Sequence, residues 1–244
     1  MLIAYAFLVV FVAGVLRGMT GFGYALMAAI ALAAVFPPGL TTATVLIVEL
    51  AITALMLRDG ALRAAEPARL VPLSVGGVAG TVAGAALASA LPAAWVKPAL
   101  DAAVLASALV SLAHFRAPGL DRPWIGGLIA FLVGVLASAF AVGGPFLVVW
   151  FLAIGAAPAS IRGNLTVFFG VVDVAAIVMR ASTIGIPAEA WTTALLLLPP
   201  TLAGVFLGGR LFHKVDAAWW RRIAAWSIAG GAILSLGRSL VLRP

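Results

Sequence analysis

The segment Gly14-Val-Leu-Arg-Gly-Met-Thr-Gly-Phe-Gly23 interrupts the apolar sequence at the start of the chain. Glycine is about 1 kcal/mol less favourable than alanine inside a helix, so four glycines in this segment favour a break. The flanking stretches 2–16 and 24–36 carry no charge. At about 1.5 Å per residue, each covers at most roughly 23 Å of a hydrocarbon core about 30 Å thick. The segment therefore predicts two half-helices that meet inside a membrane, with two short tilted spans as the open alternative.

The composition of the whole chain also indicates a membrane protein. Of 244 residues, 64% are hydrophobic and 9% are charged, whereas soluble domains carry about 25% charged residues. The mean hydropathy is +1.21. These values exclude a water-soluble enzyme, a disordered chain and a secreted disulfide scaffold, and they predict an all-α polytopic membrane protein. Four stretches without any charge are long enough for spanning helices of about 20 residues: 18–48, 70–96, 123–161 and 190–209.

The net charge of +7 would suggest nucleic acid as the partner of a soluble protein. In a membrane protein the positive charge is better explained by topology, because cytoplasmic loops are enriched in Lys and Arg. No basic cluster is interleaved with aromatic residues, so we expect no nucleic-acid partner. With no Cys and two His in the sequence, we also expect neither a metal nor another cofactor.

Glycine, proline and charge divide the chain into ten apolar segments. We expect eight to ten of them to enter the membrane. A polar joint, Arg116-Ala-Pro-Gly-Leu-Asp-Arg-Pro123, lies close to the middle. The segments are approximately 2–16, 24–36, 40–57, 69–90, 96–115, 123–141, 144–157, 161–180, 190–211 and 219–241.

The sequences on the two sides of this joint resemble each other. An offset of 120 residues aligns the glycines of the first break with glycines near residues 134–143, and an offset of 124 aligns Ala93-Ala-Trp95 with Ala217-Ala-Trp219. Single glycine matches arise by chance, so the Ala-Ala-Trp block carries more weight. We therefore predict a first repeat at 1–117, a joint at 118–124 and a second repeat at 125–244. The other matches are Gly14 with Gly134, Gly23 with Gly143, Pro38 with Pro158, Gly80 with Gly204, Gly84 with Gly208, and Lys97 with Arg221.

Loop charges predict that the two repeats are inverted relative to each other. If each half crosses the membrane an odd number of times, ten Lys and Arg fall on one side and four on the other. An even number divides them 7 to 6, with Arg210 grouped with its loop and Arg238 left within its span. The positive-inside rule favours the first arrangement. Both termini are then outside and the joint is in the cytoplasm. The ten are Arg58, Arg63, Arg69, Arg116, Arg122, Arg162, Arg210, Lys214, Arg221 and Arg222, and the four are Lys97, Arg180, Arg238 and Arg243.

A second glycine break, Gly134-Val-Leu-Ala-Ser-Ala-Phe-Ala-Val-Gly-Gly-Pro145, occupies the matching place in the second half. Interrupted segments at corresponding positions point to the binding site of a transporter. A helix that starts inside the membrane leaves N–H groups unpaired and carries a partial positive charge there. Two such starts predict an anion site, with close helix packing at glycine as the alternative. The substrate-binding candidates of the breaks are Gly21, Phe22, Gly23, Gly143 and Gly144.

Polar side chains near the breaks add further candidates. The guanidinium of Arg17 can bind an oxyanion through two hydrogen bonds, unless the side chain snorkels to the membrane interface. Glu49 and Asp173 lie deep in apolar segments, where an ionisable group indicates function, and we expect them to couple transport to an ion. The alternative to coupling is that each carboxyl is neutral or paired with an arginine and holds helices together. For Asp173, the arginine would be Arg180. The other candidates, for which backbone hydrogen bonding is the alternative, are Thr20, Thr44, Ser138, Asn164 and Thr166.

These motifs resemble those of the sulfite exporter TauE/SafE family. The resemblance covers nearly the whole chain and rests on the order and duplication of its glycine motifs. It implies a multi-pass transporter of sulfur-containing or related small organic anions. The membrane it implies is the bacterial plasma membrane, that is, the inner membrane. The chain departs from the family at Ala141-Val-Gly-Gly-Pro145, where Gly-x-Gly-Gly-Gly is usual, and this bears on the substrate more than on the fold. The other carriers are Pro37-Pro38, Ala43-Thr44, Leu57-Arg-Asp-Gly60, Gly76, Gly80, Gly84, Leu91-Pro92, Pro158, Gly204 and Gly208.

We therefore expect a secondary transporter, an exporter, that moves sulfite or a sulfonate by alternating access. A passive anion channel and a metabolite or drug transporter with inverted repeats stay open as alternatives. A membrane enzyme is not expected, because no mid-span Gly-x-Ser nucleophile and no acid cluster occurs. The expected partners are the small anion, the lipid bilayer, and a coupling proton or sodium ion; a homodimer is left open.

Overall fold

The computed structural model describes residues 2–32, 35–90, 95, 117–140, 144–224 and 226–227. In these ranges the regular elements are all helical. Two short 3₁₀ turns, Ala61–Ala64 and Pro118–Leu120, lie in the links, and residues 217–224 are helical as well. The α-helices are α1 (Leu2–Thr20), α2 (Tyr24–Leu32), α3 (Pro38–Arg58), α4 (Pro67–Ala90), α5 (Pro123–Phe140), α6 (Gly144–Ala153), α7 (Pro158–Thr183) and α8 (Ala188–Phe212).

Five of these helices are long and apolar enough to cross a membrane, namely α1, α3, α4, α7 and α8. Helices α5 and α6 are apolar but shorter. The prediction of an all-α polytopic membrane protein is confirmed. The apolar segment 96–115 lies outside the described residues, as does most of 219–241.

The first glycine break separates α1 from α2. Gly21 and Gly23 have φ values of +84° and +96°, which side chains with a Cβ rarely adopt. Helix α2 is nine residues long, roughly 14 Å, and therefore too short to span a bilayer alone. Helix α1 continues to Thr20, so Arg17 lies in its last turn rather than in the break itself.

Glycines bring two pairs of helices into backbone contact, α1 with α8 and α4 with α5. A Cβ built on Gly204 or Gly208 would lie less than 3.0 Å from a backbone oxygen of α1, and a Cβ on Gly80 or Gly84 would lie equally close to α5. The contacting oxygens are those of Phe11 and Val15 for the first pair and of Phe131 and Val135 for the second. Helices can approach this closely only where the side chain is absent.

The two glycine interfaces are related by the same offsets that align the sequence. Phe11 and Phe131 differ by 120 residues, and Gly80 and Gly204 differ by 124. The internal repeat predicted from the sequence would produce this equivalence of contacts. The boundaries of the repeats and their inverted orientation stay predictions.

Within the described ranges, the buried hydrophobic residues form two clusters. One contains buried residues of α1, α2 and α3 together with α8, such as Val10, Tyr24 and Leu197. The other contains residues of α5, α6 and α7 together with α4, such as Phe151 and Leu73. Each cluster therefore includes a helix of the other half, α8 in the first and α4 in the second.

Candidate functional site

A cavity with a volume of about 40 Å³ lies where the two core clusters meet. Both halves of the chain contribute to its wall, which is mostly apolar but includes three ionisable side chains. The lining residues are Arg17, Gly23, Ala25, Leu26, Val45, Leu46, Glu49, Ala137, Gly144, Pro145, Phe169 and Asp173.

Both glycine breaks border this cavity. Gly23 and Ala25 belong to the beginning of α2, while Gly144 and Pro145 begin α6. A Cβ built on Gly144 would lie 3.8 Å from the Cβ of Phe22, so the two breaks are in close proximity. Gly143 lies outside the described residues. Helix starts carry partial positive charge and unpaired N–H groups, and here two of them line one cavity.

Arg17 supplies the cation of the cavity. Its side chain is 1% exposed, its Nη1 donates to the carbonyl oxygen of Gly21, and its Cζ lies 5.0 Å from the centroid of the Phe169 ring. This burial argues against snorkelling to the interface. The Nε and Nη2 atoms of Arg17 are buried and have no hydrogen-bond partner among the described residues.

Glu49 faces Arg17 across the cavity wall. Its Oε2 is 3.1 Å from Nη2 of Arg17, and its Oε1 accepts a hydrogen bond of 3.1 Å from the backbone N–H of Ala25. The carboxylate of α3 therefore satisfies one of the first N–H groups of α2. A negative group at this end of a helix is stabilised by the partial charge of the helix.

Asp173 brings a second carboxyl group to the cavity from α7. Its side chain is buried, and Oδ2 has no hydrogen-bond partner among the described residues. Arg180, the partner left open by the sequence, instead donates to the carbonyl oxygen of Gly39 at 2.9 Å. Arg17, Glu49 and Asp173 are thus three ionisable groups around one small space.

The remaining polar candidates lie outside the cavity lining. The hydroxyl of Thr20 lies within hydrogen-bond distance of the carbonyl oxygens of Leu16 and Phe22. The side-chain amide of Asn164 donates to the carbonyl oxygen of Ser160 and accepts from the backbone N–H of Glu66. These contacts match the backbone-bonding alternative. The same holds for Thr166, whose hydroxyl donates to the carbonyl oxygen of Arg162. Two further candidates have other surroundings: Thr44 is buried, and its Oγ1 has no hydrogen-bond partner in the described part of the chain, while Ser138 packs against Gly84 of α4.

Neither Arg162 nor Phe169 is among the site residues predicted from the sequence. Arg162 is 4% exposed, its Nε donates to the carbonyl oxygen of Gly18 at 2.8 Å, and its Nη2 is 3.2 Å from Oδ2 of Asp59. It therefore holds the last turn of α1, which carries Arg17. The sequence did contain a signal for the position of Arg162. Proline is favoured at the first position of a helix, so Pro158 indicates that Arg162 lies inside a helix rather than in a loop.

Comparison with known proteins identifies a family. The family model for the sulfite exporter TauE/SafE family matches residues 6–234. No curated protein and no solved structure matches the chain. The matched range includes both glycine breaks and all three ionisable residues of the cavity.

Proposed function

The chain belongs to the sulfite exporter TauE/SafE family of membrane transporters, and from this premise we propose that it is a secondary transporter that exports a small sulfur-containing or organic anion, such as sulfite or a sulfonate, by alternating access. The proposed binding site is the cavity between the two glycine breaks. The proposed membrane is the bacterial inner membrane, with both termini outside.

The observation that carries this proposal is the position of Arg17. A guanidinium recognises oxyanions through paired hydrogen bonds. Among the described residues, Nε of Arg17 has no hydrogen-bond partner and Nη2 has only the ion-pair contact with Glu49. They lie in a cavity that also borders the starts of α2 and α6. The combination of a buried cation with two helix starts suits a negative ligand.

The size of the cavity supports a small substrate. A volume of about 40 Å³ has room for roughly three water molecules, whereas drug-sized ligands occupy pockets of about 300–1,000 Å³. Sulfite, with four heavy atoms, or the head group of a sulfonate is on the scale of this cavity. The alternative of a large-metabolite or drug transporter is therefore less well supported.

Glu49 and Asp173 remain the proposed coupling groups. We favour a proton over sodium, because Arg17 lies in the same cavity and its charge would repel a sodium ion bound between the carboxyls. A passive channel would need no such coupling. The two mechanisms differ in outcome: a coupled transporter accumulates the anion against its gradient when a pH gradient is imposed, and a channel does not. A homodimer stays a prediction.

Flux into proteoliposomes tests the proposal. We expect uptake of at least one member of a panel of sulfite, sulfoacetate, taurine and small carboxylates. Arg17→Ala and Gly144→Leu should each lower it at least tenfold, because the first removes the cation and the second fills the space beside Phe22 and Phe169. Arg63→Ala, at an exposed position of the turn after α3, is the matched control. Undiminished flux in both cavity variants would remove the site.

A further inference from the structure

The place that an anion would take in this cavity is held by a carboxylate of the chain itself. One oxygen of Glu49 accepts the N–H of Ala25 at the start of α2, and the other lies 3.1 Å from Nη2 of Arg17. A backbone N–H at a helix start and a guanidinium are the partners that bind oxyanions. Glu49 and a substrate anion therefore have the same partners.

We propose that Glu49 is a tethered substitute for the transported anion, which leaves Arg17 and the start of α2 when it takes up a proton and is replaced there by the anion. The inference rests on the proposed function, because it concerns the same cavity. Beyond the proposed function, the inference names Glu49 as the group that competes with the substrate and its protonation as the step that ends the competition.

The contact between Arg17 and Glu49 leaves donors available for this exchange. Nη2 of Arg17 and Oε2 of Glu49 are within ion-pair distance but form no hydrogen bond, and Nε of Arg17 has no partner among the residues that the structure describes. Buried donors without partners cost free energy. Nε and Nη2 form the edge of the guanidinium that binds two oxygens of one oxyanion. A sulfonate or sulfite would satisfy both donors, which the carboxylate of Glu49 does not.

The charges around Glu49 link anion binding to protonation. It is faced by Arg17 from α1, Tyr24 from α2 and Asp173 from α7. The lining residues of α5 and α6 are Ala137, Gly144 and Pro145, none of which is ionisable. With both carboxyls ionised, the group carries one positive and two negative charges, and an added anion would be repelled strongly in a buried site. Uptake of one proton by Glu49 from water removes one negative charge as the anion brings another.

The exchange makes transport of a monovalent anion with one proton electrically neutral. Anion and proton would travel in the same direction, since the anion binds only after the proton. Transport would then be independent of the membrane potential, and its direction would be set by the concentration gradients of the anion and the proton together.

Binding of methanesulfonate to the purified protein in nanodiscs tests the proposal. This probe stays ionised over the range used, so any pH dependence belongs to the protein. By linkage, the affinity of the unmodified protein should rise as the pH is lowered from about pH 8, by up to roughly tenfold per pH unit while Glu49 is ionised in the free protein. Glu49→Gln should bind more tightly than the unmodified protein at about pH 8 and lose this dependence. Glu189→Gln, at the exposed start of α8, should keep it.

A purely structural ion pair gives a different result. Loss of a support for Arg17 would change the affinity of Glu49→Gln by the same factor at every pH, and an unchanged pH slope in a variant that binds would overturn the proposal. If neither form binds methanesulfonate, sulfite or sulfoacetate at any pH, the proposed function fails and the inference fails with it.

A second variant covers the case in which Glu49→Gln does not fold. Glu49→Asp keeps the acid but withdraws it by one methylene group from Ala25 and Arg17. We expect tighter methanesulfonate binding at about pH 8 with the pH slope retained, because the competing carboxylate is held less well. Unchanged affinity in Glu49→Asp would contradict the competition.

Discussion

Arg17 and Glu49 form an ion pair 3.1 Å apart in which the two side chains are 1% and 5% exposed. Removing one partner of a buried pair costs about 3–5 kcal/mol, since the other charge is left uncompensated. We expect Arg17→Gln to lower the thermal stability of the purified protein substantially. The double variant Arg17→Gln with Glu49→Gln should recover part of the loss, as measured by thermal unfolding in detergent.

The exposed pair of Arg69 and Asp121 is the reference for this prediction. Their side chains are 23% and 43% exposed, and exposed pairs contribute about 0–1 kcal/mol. Asp121→Asn should therefore have a small effect. A loss for Arg17→Gln no larger than that for Asp121→Asn would contradict the prediction.

The close helix contacts at Gly204 and Gly80 predict equal sensitivity in the two halves. A Cβ at either position would meet a backbone oxygen of the partner helix at less than 3.0 Å, and backbone cannot give way as a side chain can. Overpacking of this kind costs about 1–3 kcal/mol. We expect Gly204→Ala and Gly80→Ala to lower the unfolding temperature by similar amounts. Gly119→Ala, with nothing within 4 Å of the added Cβ, should leave it unchanged, and equal effects at all three positions would argue against the contacts.

The absence of cysteine from the sequence allows a direct test of the inverted topology. Glu189→Cys and Arg63→Cys place single thiols at exposed positions that the charge pattern assigns to opposite sides of the membrane. A membrane-impermeant maleimide should label Glu189→Cys in intact cells and Arg63→Cys only after permeabilisation. Labelling of both from outside would contradict the predicted orientation.

Glu66 predicts a stability change on the acid side. A hydrogen bond from Ser160, assisted by Arg69, lowers the pKa of Glu66 below the ordinary value of about 4.5. Because the folded-state pKa is depressed, the stabilisation is present above the ordinary value and is lost as the pH falls through the folded-state pKa. The unfolding temperature of Glu66→Gln should therefore approach that of the unmodified protein as the pH falls below about 4.5. Glu189→Gln is the control, and a gap that is constant with pH would contradict the role of Glu66.

Local chemistry accounts for the parts of the site that were predictable. Gly21 and Gly23 predicted the break between α1 and α2, since glycine tolerates the positive φ that the turn requires. The depth of Glu49 and Asp173 in apolar segments marked them as unusual. Both line the cavity, whereas Thr20 and Asn164, chosen only for polarity and proximity, engage neighbouring backbone groups.

What was not predictable depends on contacts between distant segments. Nothing near Glu49 in the sequence indicates that its carboxylate reaches Ala25 and Arg17, because that depends on how α3 lies against α1 and α2. The role of Arg162 at the end of α1 is missed for the same reason, since 144 positions separate it from Gly18.

The sequence alone determined that the chain is a helical membrane protein, where its first helix breaks, and that its two halves share a pattern, because hydrophobicity and glycine placement act locally along the chain. Only the tertiary structure decided that α4 and α8 pack into the core of the opposite half and that Glu49 meets Arg17. Those outcomes depend on which glycine surfaces fit together at backbone distance and on which buried charges find each other, and neither is encoded in any single segment.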